Sequence, residues 1–494
     1  MTSVQKRFAL LLALASPALA LAASPAPLAD AAESGDRTTL SRLLATAAET
    51  VNATQIDGMT AVLWAAYRDD TGLARQLVAA GADVRLKNRY GVTPLSLACQ
   101  NGNAELVDLF LGAGADPNLP LPGGETPLLT AARTGRPLPV HALLVRGARV
   151  DEPLAKSEQT PLMWAAIEGH TEVVKVLLAA GANLHARLPS GFDALLFATR
   201  GGHVSTVRLL LASGADLNAV TAPSKRTSPK GPPAGTGPLL IAIENGHYEL
   251  AAEFLDRGAD PNDLRSGYAP LHVLSWVRKP DIGEANGEPV ADGSGHLSSE
   301  ELVRRLVAKG ADVNLRLTIG GGRFSRKGCT PLLLAADRAD TAYVKLLVEL
   351  GADHLALNVE GGSALMTAAG LGNGADQDEA GTEEEALATV VYLMALGADP
   401  NAATENGETA VHGAAYAGFP KVIEYLDAHG ARIELWNVPN PQGWTPLRIA
   451  EGHRIGNFKP SFETVAALKR IMLARGVEIP PPVEPVKAVG YPQP

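Results

Sequence analysis

The densest group of titratable residues in the chain is acidic: Asp376, Asp378, Glu379, Glu383, Glu384 and Glu385. A calcium loop would need oxygens at alternate positions around a glycine and a glutamate at the twelfth. Counted from Asp376, the twelfth residue is Leu387, so that spacing fails. The preferred reading is acids favouring a helix N-terminus, with a weak, incidental cation site as the alternative. The segment "GLGNGA" (370–375) loosely resembles a nucleotide-binding glycine loop but follows no strand, so it fails the context test. No H-E-x-x-H, G-x-S-x-G, G-x-x-x-x-G-K-[ST] or C-x-x-C occurs. His170, His203 and His247 each follow a glycine, and His272 and His412 share a different repeated place. No acid or nucleophile recurs beside them to complete a triad. Cys99 and Cys329 lie far apart at unlike positions and read as two structural thiols. The reading is therefore a non-enzyme with no catalytic residues, metal or cofactor.

The recurrence of these histidines points to the elements that carry them. A Gly-Ala pair returns at Gly81, Gly114, Gly147, Gly181, Gly214, Gly258, Gly310, Gly351, Gly397 and Gly430, then as Gly-Val at Gly476. The spacing is 33 or 34 residues as far as Gly214 and lengthens to between 33 and 52 afterwards. A fixed period with additions marks a repeat array. In "TPLMWAAIEGHTEVVKVLLAAGA" (160–182), Thr160 is an N-cap and Pro161 occupies the first helical position. A short helix then stops at Gly169, a second runs from about Glu172 to Ala180, and Gly181 is the left-handed cap. Neither helix is long enough to persist alone in water, so each must be covered by the repeats beside it.

The period, the T-P-L opening, the A-A pair, the G-H turn and the G-A-D-x-N ending together resemble ankyrin repeats. Good matches are "GVTPLSLACQNGNAELVDLFLGAGADPN", "GETAVHGAAYAGFPKVIEYLDAHGA" and "KGCTPLLLAADRADTAYVKLLVELGAD". The resemblance implies an all-α solenoid of about 11–12 stacked helix-turn-helix repeats with β-hairpin or turn fingers. The array is expected over 28–479, with a capping repeat at 28–56, regular repeats at 57–218 and inserted repeats at 219–479. A proline-rich tail follows at 480–494. The main additions lie at 219–235, 278–297, 316–328 and 370–381, and Ser298/Glu301 and Thr382/Glu385 form capping boxes where helices restart.

The first 23 residues read as a signal peptide, with Lys6 and Arg7 ahead of "ALLLALASPALALA". Their removal takes the net charge from −10 to −12, which argues against nucleic acid as partner. Lys225, Arg226 and Lys230, the only compact basic cluster, read as a solvated loop rather than an anion site. No later segment reaches 18 uninterrupted apolar residues, so no membrane span is expected after signal removal. The signal and the Ala- and Pro-rich composition suggest a bacterial protein of the periplasm or the outside of the cell, with a monomer favoured.

Such arrays bind unrelated partners, so the expected function is a non-catalytic protein-binding scaffold. The alternatives are a secreted effector that engages host proteins, and an enzyme whose site is built by the insertions at 276–300 and 370–382. The resemblance places partner contacts at turn tips and at the two residues after A-A. Carried over, these are Tyr67 and Arg68, Gln100 and Asn101, Arg133 and Thr134, Ile167 and Glu168, Arg200, Glu244 and Asn245, Asp337 and Arg338, and Tyr416. Tyr90, Tyr268, Trp436 and Trp444 are large rings on turns, suited either to anchoring a partner or to packing on neighbouring turns. Trp64 and Trp164 fall in an otherwise apolar column and read as packing residues.

Overall fold

A computed structural model describes residues 25–46, 50–223, 232–280, 295–320, 326–372, 381–453 and 459–481. The expected signal segment, Lys225, Arg226, Lys230, Asp376, Asp378 and Glu379 lie outside these residues, as does nearly all of the tail. Regular structure among them is helical, with one isolated antiparallel bridge, Leu357 to Ser363. Apart from that bridge, the described residues of the fingers between helix pairs therefore take the turn form rather than the hairpin form. The chain divides into two bodies, Met1–Asn183 and Leu184–Pro494.

Within each body the helices come in short antiparallel pairs, and each helix packs on its equivalent in the next repeat. The repeat at 160–182 shows why. Thr160 accepts a hydrogen bond from the Met163 amide at 3.3 Å, and Pro161 opens the helix Pro161–Ile167. Gly169 (φ +72°) turns the chain into the helix Thr171–Ala179, and Gly181 (φ +87°) ends it. Leu162, Met163, Val173, Val174 and Leu177 are at most 2% exposed. Burial of each such side chain contributes roughly 1.5–3 kcal/mol, which is what lets helices of seven and nine residues persist.

Polar bonds set the register between repeats. In the N-terminal body, Asn118 donates to the Gly147 carbonyl at 3.0 Å and accepts from the Arg149 amide at 2.9 Å. Asn262 repeats the clamp on Gly310 and Asp312, and Asn401 on Gly430 and Arg432, in the C-terminal body. The asparagine of G-A-D-x-N thus satisfies backbone groups left over at the next helix end. Fingers also join directly: the Arg89 amide donates to Asp57, Ala222 to Ser190, Val359 to Lys327 and Glu405 to Glu360.

The insertions have fixed feet. Thr221 and Thr236 exchange backbone and hydroxyl bonds that close the loop between them. Glu249 accepts the amides of His296 and Leu297, where the chain returns from the insertion after Pro280. Ser298/Glu301 and Thr382/Glu385 both form the expected capping boxes, opening the helices Ser299–Ala308 and Glu383–Ala395.

Candidate functional site

The candidate surface is built from two pieces of each repeat: the C-terminal end of the first helix and the finger. In the N-terminal body both carry exposed aromatic rings. Tyr67, at the end of the helix Ala61–Tyr67, is 60% exposed and stands edge-on to Trp64 with ring centroids 5.5 Å apart. The Trp64 indole donates to Gln55 at 2.7 Å, and Gln55 in turn donates to Asp30 and Glu33 of the first repeat. Trp64 is therefore held from behind while Tyr67 faces solvent. Tyr90 is 58% exposed on its finger, with the Arg89 guanidinium 4.8 Å above its ring and bonded to its hydroxyl at 2.6 Å. At an exposed site this cation–π contact contributes about 0.5–1 kcal/mol toward holding the ring on its finger.

Between and beyond these rings the surface is mixed. Arg68, Gln100, Arg133 and Glu168 are exposed and Ile167 is half-buried. Arg133 pairs with Glu125 at 3.0 Å and lies 5.8 Å from the Trp164 ring of the next repeat. Asn101 is also exposed but tied back to the preceding repeat, donating to the Ala66 carbonyl at 2.8 Å.

In the C-terminal body the expected contacts divide. Arg200 is exposed, and Glu244, Asn245, Tyr268, Asp337 and Trp444 are half-buried. Tyr268 packs edge-on against Trp276 at 5.0 Å, so for this ring the packing alternative is realised alongside partial exposure. Three candidates are not surface residues at all. Trp436 is 2% exposed because its finger folds into a helical turn, Ile433–Trp436, that draws the ring inward. Tyr416 is 4% exposed, its hydroxyl donating to Glu408 at 2.8 Å and accepting from Asn440 at 3.0 Å. Arg338 is 8% exposed because the foot of an insertion covers it and accepts its Nη1 hydrogen through the Lys279 carbonyl.

Some exposed groups escaped the sequence reading. Arg89 was visible only as a neighbour of Tyr90, and its stacking needed coordinates. Leu355, Leu357 and Val359 are 45–56% exposed on one finger. Their alternation was the available signal, yet period-two apolar residues ordinarily mean a half-buried strand.

Four histidines and both cysteines are held in structural roles. The His170 and His247 rings lie 3.0 Å from the carbonyls of Arg133 and Arg200 in the preceding repeats. His272 accepts the Ala269 amide on Nδ1 and donates from Nε2 to Leu315; His412 does the same with Thr409 and Val438. Burial pushes both imidazoles down to about 4, so each is neutral at pH 7. Both cysteines are free and buried; desolvation raises the Cys99 thiol and takes Cys329 up to about 12. Among the described residues, no three His, Cys, Asp or Glu side chains converge as metal ligands.

The helix pairs, the glycine turns and the asparagine clamps recur at the sequence period. Family models described as ankyrin repeats match residues 28–121, 100–187, 128–221, 182–265 and 294–376, and a further one matches 382–426. The chain belongs to the ankyrin-repeat family. Ankyrin repeat and SOCS box protein 16 of Mus musculus is 32% identical over 223 residues, covering 44% of this chain and 47% of that protein. The B-cell lymphoma 3 protein homolog of Mus musculus is 35% identical over 219 residues, covering 44% and 40%. The E3 ubiquitin-protein ligase KEG of Arabidopsis thaliana is 30% identical over 236 residues, covering 44% of this chain and 14% of that protein. The match thus spans less than half of each of these relatives. What they share with this chain is the ankyrin array, a framework for protein–protein contact.

Proposed function

We propose that this ankyrin-repeat chain is a non-catalytic scaffold, exported through residues 1–23, that binds a protein partner chiefly through its N-terminal body. The observation that carries the reading is the pair Tyr67 and Tyr90, two rings more than half exposed at positions where ankyrin arrays offer contacts. A rigid ring on a fixed backbone loses little entropy on docking. Arg68, Gln100, Arg133, Ile167 and Glu168 complete that face; Arg200, Glu244, Asn245, Tyr268, Asp337 and Trp444 extend the candidate set in the C-terminal body. Among the described residues no helix is long and apolar enough to cross a membrane.

The test is a crosslinked pull-down with mass spectrometry, comparing the full chain with Tyr67→Ser/Tyr90→Ser. A partner that binds saturably and is lost in the double variant supports the reading. Equal recovery by both proteins refutes the assignment of this face. Cell fractionation with and without residues 1–23 tests the destination: retention in the cytoplasm in both cases would overturn export.

A further inference from the structure

The feet of the two longest inter-helix insertions meet. Lys279 follows the helix Pro270–Arg278 and opens the first insertion; Gly381 closes the second, which leads into the helix Glu383–Ala395. Lys279 Nζ lies 2.9 Å from the Glu385 carboxylate and 3.3 Å from the Ala339 carbonyl. Arg338 Nη1 donates to the Lys279 carbonyl at 3.4 Å. A Cβ on Gly381 would stand 2.9 Å from the Ala339 Cβ and 3.1 Å from Lys279 Nζ. The repeats closing at Gly310, Gly351 and Gly397 (the eighth, ninth and tenth, with the capping repeat counted first) therefore touch at one place on their inter-helix edge, with the bare turn of the ninth between the two feet.

Three further features set this contact apart from an incidental surface pair. The Lys279 side chain is only 19% exposed, against 48% for Glu385, so the pair is screened by water mainly from the carboxylate side. Ala339 holds a left-handed backbone (φ +51°) at the position filled by glycine in Gly102, Gly135, Gly169, Gly246 and Gly418. Its methyl is what the Gly381 backbone packs against. Behind Lys279, Arg278 pairs with Asp340 at 2.9 Å, lies 5.1 Å over the Tyr343 ring and bonds to the Ser299 hydroxyl. Ser299 begins the helix that follows the first insertion, so the chain leaving and the chain returning are both tied to this edge.

We propose that Lys279, Ala339 and Glu385 form a coupling node through which the two inserted repeats act as one element across the ninth. An event that shifts either foot shifts the other, and by linkage the effect is reciprocal. The node stands independently of the partner-binding reading, since it uses none of the proposed contact residues of the N-terminal body.

Amide hydrogen exchange on the full chain tests it. Lys279→Met is expected to speed exchange in 382–388 by about three- to tenfold while leaving the helix Ala410–Ala417 unchanged, and Lys279→Arg is expected to keep the protection. Gly381→Ala is expected to act in the reverse direction, speeding exchange at 299–305. Wild-type rates in 382–388 for Lys279→Met overturn the proposal. If that variant fails to fold, salt titration of the unaltered chain decides. Protection at 382–388 that weakens between 0.05 and 1 M salt supports an ionic node, and salt-independent protection overturns it.

Discussion

The imidazole of His170 rests on the backbone of Gly135, one repeat earlier: a Cβ at that glycine would stand 2.5 Å from the ring. Gly135 also has φ +76°, and the His170 ring bonds to the Arg133 carbonyl two residues before it. His247 sits on Gly202 in the same way within the C-terminal body. The glycine therefore serves its own turn and is also the seat for the histidine of the following repeat.

Gly135→Ala should therefore lose more than backbone strain. Left-handed alanine costs about 1–2 kcal/mol, and the displaced ring adds to this. Gly81 has φ +91° but nothing within 4 Å of a Cβ, so Gly81→Ala bears the strain alone. Urea unfolding of the two variants should show the larger loss for Gly135→Ala. Equal losses would mean that the histidine seat contributes nothing.

Stability should fall in mild acid through His272 and His412. Both rings have folded values of about 4 against an ordinary value near 6.5. Between those values the unfolded chain binds more protons than the folded one, so stability is complete above about pH 6.5 and drains away toward pH 4. At pH 5 each ring accounts for about 2 kcal/mol. Protonation of Nδ1 would also set an N–H against the capping amide of Ala269 or Thr409. His272→Gln should shrink the difference in unfolding free energy between pH 7 and pH 5, and an unaltered difference would count against the linkage.

Trp436 should tolerate loss of its indole nitrogen. The ring is buried, and its N–H has no acceptor among the described residues. Trp436→Phe is expected to change stability by less than about 1 kcal/mol, whereas Trp436→Ala should cost about 3–5 kcal/mol. Neither should alter partner binding beyond its effect on folding. Selective loss of binding in Trp436→Phe at unchanged stability would restore this ring as a contact.

Asp193 caps the helix Ala194–Arg200 where most other repeats use threonine, accepting the Leu196 amide at 2.9 Å. Burial raises its carboxyl above the ordinary value, against the lowering effect of that bond and of Arg187. The folded state thus holds its proton more tightly, and stability falls as pH rises from the ordinary carboxyl value through the raised folded one. Asp193→Asn keeps an acceptor at the cap and removes the charge. Thermal melts at pH 7 should show a gain of up to about 1 kcal/mol. A clear loss would show that the Arg187 contact outweighs burial.

The sequence by itself determined the caps, turns and period that depend on neighbours along the chain. Thr160 with Pro161, Gly169 and Gly181, and the two capping boxes are local contracts between a side chain and backbone within four residues. Their reading needed only spacing and backbone geometry. The repeat period added the stacking, because helices this short have no other way to cover their apolar faces.

Only the tertiary structure decided which polar and aromatic side chains remain outside. Tyr67 and Tyr90 stay exposed while Tyr416 and Trp436 do not, although all four occupy turn or helix-end positions. The difference lies in partners distant in sequence, such as Asn440 for Tyr416, and in a finger that coils into an extra helical turn around Trp436. Lys279 reaches Glu385 for the same reason: stacking brings the eighth and tenth repeats to either side of one short turn. Burial and charge pairing depend on distances in space, and no periodicity along the chain encodes them.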